Sequence, residues 1–134
     1  MVKGIKVNEM TAGGVTISIW TATDPPKNHH DLFRVDVGSD GDDDWICVGG
    51  GGNCLPGDGD SYLTASFPSM DDNMEPDWKG WVASSRDHID PNVAPLEVFA
   101  LGIKIPNLSK VSSQTFRSLE MKVYQILTHS PQVL

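Results

Sequence analysis

The sequence is poor in basic residues, and it contains no long apolar run. Lys and Arg number 10 against 18 Asp and Glu, which gives a formal net charge of -8. Nucleic acids and anionic membranes attract clustered Lys and Arg, so this charge balance argues against both as partners. No stretch approaches the roughly 18 apolar residues of a membrane span, and residues 1–10 lack the apolar core of a secretory signal. We therefore expect a soluble protein with no membrane span and no nucleic-acid partner.

Cysteine is also scarce, since Cys47 and Cys54 are the only two. A chain of this length buries about two thirds of its unfolded surface, so it needs neither a metal nor a disulfide to fold as one domain over residues 1–134. We nevertheless expect a disulfide between the two cysteines. The glycine-rich spacer is able to turn back on itself, and a Gly-rich, Asn-rich, Lys-poor chain is typical of extracellular proteins. Two reduced structural thiols in a cytosolic protein are the alternative.

The sequence does contain a series of short runs in which apolar and polar residues alternate, each bounded by Gly, Pro, Asp or Asn. Alternation of this kind predicts strands. The predicted strands are 4–7, 14–20, 32–37, 45–48, 62–67, 80–88, 96–105 and 120–127. Residues 107–119, with Ser109 as a plausible N-cap, predict at most one short helix. About eight strands without a βαβ rhythm predict an all-β fold, either an antiparallel β-sandwich or a small barrel.

Two stretches of the sequence are especially informative about the fold. The strand 96–105 is apolar on both faces, which predicts a central position in a sheet with Phe99 and Leu101 buried. The glycine run 49–52 lies in a long connection between two strands. We interpret it either as a flexible linker or as backbone that must adopt positive φ or approach something closely, as in a β-bulge or a turn that faces a ligand.

Four short segments follow one another in the central block: the glycine run 49–52, LTASFP at 63–68, WVASSRDH at 81–88 and FALGIKI at 99–105. In this order they resemble a family of small bacterial and fungal domains, mostly uncharacterised and often exported. The resemblance covers residues 45–108 and brings no agreed activity. It implies an extracellular setting, although exported members would begin with a leader, which residues 1–10 do not contain.

Acidic residues concentrate in the loops, and solvated acidic loops are the simplest interpretation. The stretch 40–51 fails the EF-hand pattern, because Trp45 stands where the loop needs Gly and Gly51 where it needs Glu. A looser calcium site is a weak alternative. Its candidate ligands are Asp40, Asp42 and Asp43. No other cofactor is expected, since two cysteines lack the further ligands of a zinc site.

Catalytic signatures are incomplete. Asp87 and His88 follow Ser84 and Ser85, but adjacent residues of a strand point to opposite faces, so Asp87 is poorly placed to orient His88 as in a catalytic triad. We assign no catalytic residue and favour a nonenzymatic protein. A hydrolase that uses paired carboxylates is a third hypothesis, because only a structure shows the spacing of two carboxyl groups.

The leading hypothesis is a nonenzymatic recognition module of the secreted type that binds carbohydrate in the manner of a lectin. Aromatic rings supply stacking faces, and Asp and Asn supply planar hydrogen-bonding groups on loops of a stable scaffold. The candidate ligand contacts are Trp78, Trp45, Asp58, Asp60, Asp71, Asp72 and Asn73. For Trp45, a position in the core is the stronger alternative.

The alternative function is docking to a host or surface protein, as an effector, an elicitor or a toxin component would do. The contact surface distinguishes the two hypotheses. A lectin needs a polar cleft with one aromatic platform, whereas a docking protein needs a flatter apolar patch above a few hundred Å2. The expected partner is therefore a glycan or a surface protein, and the sequence predicts no oligomeric state.

Overall fold

The computed structural model describes residues 2–24, 30–38, 44–54, 61–86 and 95–106. Within them the chain forms strands β1 (Val2–Lys3), β2 (Ile5–Ala12), β3 (Val15–Asp24), β4 (His30–Asp36), β5 (Trp45–Cys54), β6 (Tyr62–Met70), β7 (Pro76–Arg86) and β8 (Leu96–Lys104). Every strand predicted before residue 106 is present. The two-residue β1 was not predicted, because so short a strand carries no alternation. The helix predicted within 107–119 and the strand predicted at 120–127 lie outside the described residues.

The strands form two open sheets of four strands each. The first sheet has the order β1-β4-β7-β6 and the second has the order β2-β3-β8-β5. All neighbouring strands are antiparallel except the short parallel pair of β1 and β4. The described residues contain no helix and no closed barrel. The predicted all-β fold is therefore confirmed, in the form of a β-sandwich.

The core lies between the two sheets. β8 pairs with β3 on one side and with β5 on the other, so its predicted central position is confirmed. Its Leu96, Val98 and Ala100 are fully buried and share one apolar cluster with Val35 of β4. Burying a Leu or Val side chain contributes about 1.5–3 kcal/mol. Phe99 was expected to be buried as well, but it lies on the opposite side of β8 and is exposed.

The glycine run is part of a strand, so its interpretation as a flexible linker is wrong. Residues 49–52 form the second half of β5 and pair with residues 98–101 of β8. A Cβ atom on Gly50 would collide with Trp81, and one on Gly52 would lie 2.6 Å from the Cβ of Ala83. Trp81 and Ala83 belong to β7 of the opposite sheet. The missing side chains therefore let the two sheets approach closely, as the second interpretation predicts.

The expected disulfide between Cys47 and Cys54 is also wrong, because both thiols are free. Instead of turning back, the spacer runs along β8, so that Cys47 pairs with Gly102 and Cys54 with Leu96. An extended segment of this length separates the two cysteines by roughly 20 Å. Bridged cysteines have Cα atoms no more than about 7 Å apart. The glycines, which predicted a turn, are therefore part of the extended strand that separates the two thiols.

Candidate functional site

The hairpin that joins β6 to β7 brings together Asp71, Asp72, Asn73 and Trp78 from the predicted ligand contacts. Its tip depends on Asp71, whose Oδ1 accepts hydrogen bonds from the backbone amides of Asn73 (2.9 Å) and Glu75 (3.0 Å). The Asp71 amide donates in turn to the Glu75 carbonyl oxygen at 2.8 Å. Asp71 therefore stabilises the turn itself. Asp72 and Asn73 are the exposed polar side chains of the tip.

Two residues of this hairpin have a left-handed backbone, Met74 with φ of 61° and Trp78 with φ of 58°. Among the described residues they are the only non-glycine residues with positive φ. This conformation costs an L-residue about 1–2 kcal/mol. Met74 is 78% exposed, whereas Trp78 is half-buried. Such strain persists only where neighbouring contacts fix the backbone, and it is common at functional sites.

Asp77, which precedes Trp78, supplies those contacts. Its Oδ1 accepts hydrogen bonds from the Lys79 amide (3.0 Å) and from the Ser69 hydroxyl. Its Oδ2 accepts a hydrogen bond from Nη2 of Arg34 at 3.1 Å. The carboxylate therefore ties both strands of the hairpin to β4, and it fixes the backbone on either side of Trp78.

Arg34 completes this arrangement by donating from Nε to Oδ1 of Asp36 at 2.5 Å. Partial burial lowers the pKa of Arg34, but the hydrogen bonds and the attraction of Asp36 and Asp77 outweigh it, so the pKa is raised. One guanidinium thus holds two carboxylates, which is a strong charge-assisted arrangement. We assign Asp36 and Asp77 a structural role, because Arg34 engages both of them.

Trp45 lies in the core and not in the hairpin. It is buried, and its ring packs edge-on against Trp20 with the centroids 5.7 Å apart. The Nζ atom of Lys104 lies 5.9 Å from the Trp45 ring centroid. The core alternative for Trp45 is therefore confirmed, and Trp45 is no longer a candidate for contact with a sugar.

Five other candidates lie outside the described residues. They are Asp58 and Asp60, and the candidate metal ligands Asp40, Asp42 and Asp43. Within the described ranges, no three His, Cys, Asp or Glu residues are grouped so that they could hold a metal ion. The weak calcium alternative stays a prediction.

The candidate nucleophiles of the described strands are buried or half-buried. Ser84 and Ser85 are both buried in β7, and Oγ of Ser84 lies 2.7 Å from Oγ1 of Thr64. Burial raises the pKa of the Cys47 thiol to about 11. Burial also raises the pKa of Cys54, and a hydrogen bond with Ser85 opposes this shift. At neutral pH both thiols are therefore protonated and weak nucleophiles. Residues 87 and 88 lie outside the described residues.

A second surface, which was not predicted from the sequence, is the side of the second sheet that points away from the first sheet. We call it the outer face. Its exposed and half-buried apolar side chains are Ile5, Met10, Ile17, Ile19, Phe99, Leu101 and Ile103. Part of the signal was present in the sequence, because strand 96–105 is apolar on both of its faces. Contiguous exposed apolar surface of this kind marks an interaction site in soluble proteins.

Strand β2 forms one edge of the outer face. Among the described strands it pairs only with β3, and all 8 of its residues are exposed. Ile5 and Met10 are exposed by 71% and 63%. Its two charged side chains after Ile5, Lys6 and Glu9, form an exposed ion pair with each other at 3.2 Å. Among the described strands, β2 is therefore a long and partly apolar sheet edge without net charge.

Comparison with protein-family models, with curated proteins and with solved structures found no match for this chain. The resemblance of residues 45–108 to exported bacterial and fungal domains stays a prediction, and so does the extracellular setting. No helix of the described residues is long and apolar enough to cross a membrane.

Proposed function

We propose that this protein is a nonenzymatic recognition module that docks an extended segment of a partner protein along β2. One observation carries the proposal: β2 lies at the edge of an apolar sheet face, and each of its 8 residues is exposed. Soluble proteins protect such edges with charge, proline or a covering segment, because an open edge recruits further strands. A long and partly apolar edge strand without net charge is suited to binding by strand addition.

The energetics favour such a partner. Ile5, Val7 and Met10 are each more than half exposed, and burying a side chain of this size contributes about 1.5–3 kcal/mol. Hydrogen bonds along the open edge of β2 would add register and direction. Part of this gain is offset, because ordering the bound segment costs about 0.5–1.5 kcal/mol for each immobilised side chain. Micromolar affinity is within reach of an interface of this kind.

The chemistry of the partner follows from the charge on β2. Lys6 and Glu9 neutralise each other across 3.2 Å, so the edge offers no net charge to attract an acidic or basic segment. The partner segment should therefore be uncharged at its centre, with an apolar residue at every second position to meet Ile5 and Met10.

A selection from a library of linear peptides against the full chain tests this function. We expect binders with alternating apolar residues that lose at least about tenfold in affinity for the Ile5→Lys/Met10→Lys double variant. The control is Leu32→Lys, because Leu32 is equally exposed (66%) but belongs to the first sheet; it should bind like the parent. The proposal is wrong if the selected peptides bind the double variant as well as the parent, or if no alternating peptide is enriched.

Carbohydrate binding is the second candidate, and the β6–β7 hairpin favours it. Its strained Trp78 is fixed by Asp77, close along the chain to the exposed Asp72 and Asn73. A ring and planar polar groups on one rigid hairpin are the elements of a sugar contact. A glycan array with the parent and with Trp78→Ala separates the two functions. A glycan signal that is lost in Trp78→Ala and kept in Ile5→Lys would establish the carbohydrate function in place of docking at β2.

A further inference from the structure

Two apolar side chains of β2 share the outer face. Ile5 pairs with Thr21, and Met10 pairs with Ile17. Thr21 and Ile17 are separated by an even number of positions on β3, so they point to the same side of the sheet. Ile5 and Met10 are separated by an odd number of positions, and they share that side because a β-bulge at residues 6–8 shifts the register.

The two charged side chains of β2 lie on the inner side, which faces the first sheet. Lys6 pairs with Trp20 and Glu9 pairs with Ser18, and both partners are buried. The Nζ atom of Lys6 lies 5.8 Å from the Trp20 ring centroid, at the rim of the core. The side chains of Lys6 and Glu9 are nevertheless exposed by 40% and 44%. Both charges are therefore accessible to a strand that is added at this edge.

The side chains of β2 are arranged symmetrically about the midpoint of residues 7–8. On either side of this midpoint the chain has first a charged residue on the inner side and then an apolar residue on the outer face. In an antiparallel pair, residues directly opposite each other share a face of the sheet. A second β2 rotated by 180° about the midpoint therefore places its Met10 opposite Ile5. The same rotation places its Glu9 opposite Lys6.

We propose that β2 pairs in this antiparallel register with β2 of a second copy of this chain. The inference rests on the proposed function, because it uses the same edge and names the segment that docks there. β2 itself has the chemistry expected of that segment. Its centre consists of the uncharged Val7 and Asn8, and its two charges cancel over the strand. The net charge of -8 is carried by residues outside β2.

Charge complementarity is the reason to prefer a second copy over an unrelated segment. Each dimer would contain two pairs of Lys6 with Glu9 across the new strand boundary, and two pairs of Ile5 with Met10. Opposite charges and apolar side chains that face each other across antiparallel strands stabilise the pair, whereas like charges destabilise it. Every other register that keeps the faces matched loses the contact of Lys6 with Glu9.

The backbone of β2 also has a donor suited to this pairing. The Glu9 amide donates to Oδ1 of the adjacent Asn8 at 2.8 Å, so a side chain of the same strand satisfies it. In an antiparallel pair, opposite residues exchange backbone hydrogen bonds. A carbonyl oxygen of the second copy can therefore replace the Asn8 side chain as the acceptor.

The size of the contact sets the expected strength. Two strand edges of 8 residues each form an interface at the small end of the range for specific complexes. We therefore expect a reversible dimer with a dissociation constant of about 1–100 µM. Sedimentation velocity of the full chain over this range of concentrations measures it.

A charge swap between two variants tests the register. Lys6→Glu and Glu9→Lys each place like charges opposite each other twice in the dimer, so each variant alone should associate at least about tenfold more weakly than the parent. An equal mixture of the two should regain the parent's association, because opposite charges then face each other in the mixed dimer. Both variants lack the ion pair within β2, so a change in that pair cannot explain the recovery.

Lys79→Glu is the matched control, because it makes the same change of charge at an exposed position of the first sheet; it should associate like the parent. A parent that stays monomeric up to roughly 1 mM, or a mixture that does not regain association, would overturn self-pairing. Binding of the selected peptides by such a monomer would leave docking at β2 intact. Recovery in the mixture without any peptide binding would instead support self-pairing and contradict docking of a different protein.

Discussion

Adding a single methyl group to Gly50 tests the close contact between the two sheets. A Cβ atom at Gly50 would lie against Cγ of Trp81, 2.7 Å from its Cβ and 2.5 Å from the Phe99 carbonyl oxygen. The carbonyl belongs to the β5–β8 ladder and cannot move without breaking it. The Trp81 ring is held by a hydrogen bond from Nε1 to Oγ of Ser66 at 2.8 Å. Neither neighbour is free to make room for the methyl group.

The expected cost follows from these contacts. Overpacking of this kind costs about 1–3 kcal/mol, and alanine returns about 0.5–1 kcal/mol by restricting the unfolded chain. Because these contacts include backbone, we expect the upper end of the overpacking cost, so Gly50→Ala should reduce the free energy of unfolding by about 2 kcal/mol net. Gly49 provides a matched control one residue away, since a Cβ there has no neighbour within 4 Å. Gly49→Ala should increase the free energy of unfolding by about 0.5 kcal/mol.

Urea denaturation followed by tryptophan fluorescence measures both variants. A difference of about 2.5 kcal/mol between them corresponds to roughly 10 °C in the midpoint of thermal unfolding for a domain of this size. If Gly50→Ala and Gly49→Ala were equally stable, then β5 would not pack against β7 at Gly50. The position of β5 in the second sheet would then be wrong.

Three further predictions concern the thiols and the hairpin. The pKa of Cys47 is raised from 9.0 to about 11 by folding, so the unfolded chain loses this proton at lower pH than the folded protein does. The contribution of the protonated thiol to the free energy of unfolding is therefore complete below pH 9.0 and is lost as the pH rises towards about 11. Denaturation midpoints should fall over this range, and less so in Cys47→Ala. Asp77→Ala leaves Arg34 without one partner and should cost about 2 kcal/mol by urea titration, whereas Asp72→Ala at the exposed tip should stay within about 0.5 kcal/mol of the parent. Met74→Gly should raise the free energy of unfolding by about 0.5–1 kcal/mol, because it relieves a left-handed L-residue and loses little packing; a loss of stability there would contradict the strained geometry.

The fold class and the central strand could be predicted from the sequence, because the pattern of apolar and polar residues along a strand reflects which of its faces are covered. The apolar positions of β8 on both faces identified a strand with neighbours on either side, as the pairing with β3 and β5 shows. The same pattern did not reveal which face is buried. Phe99 was therefore expected in the core, although Leu96 and Val98 face the first sheet and Phe99 does not.

The glycine run and the cysteines could not be interpreted correctly for a different reason. A glycine favours a turn by its local conformational freedom, but at Gly50 and Gly52 the reason for glycine is the neighbouring sheet, which is distant in sequence. Once these residues are a strand, the distance between Cys47 and Cys54 follows from its extended geometry. The edge position of β2 among the described strands likewise depends on strand order, which the alternation of apolar and polar residues does not encode.

The candidate hairpin was predicted in part. Its residues Asp71, Asp72, Asn73 and Trp78 were selected for their chemistry, and they do share one hairpin. The role of Asp71 in the turn and the strain at Trp78 were not predictable, because both depend on the backbone conformation that Asp77 and its partners impose.

The most direct test of docking at β2 is a titration of the isotope-labelled full chain with a peptide from the selection, followed by backbone amide NMR. We predict that the largest shifts occur in β2 and the adjoining residues of β3, and that amides of β2 become protected from hydrogen exchange as an added strand pairs with them. Shifts confined to residues 71–79 of the hairpin, or to the strands of the first sheet, would contradict the proposed binding edge.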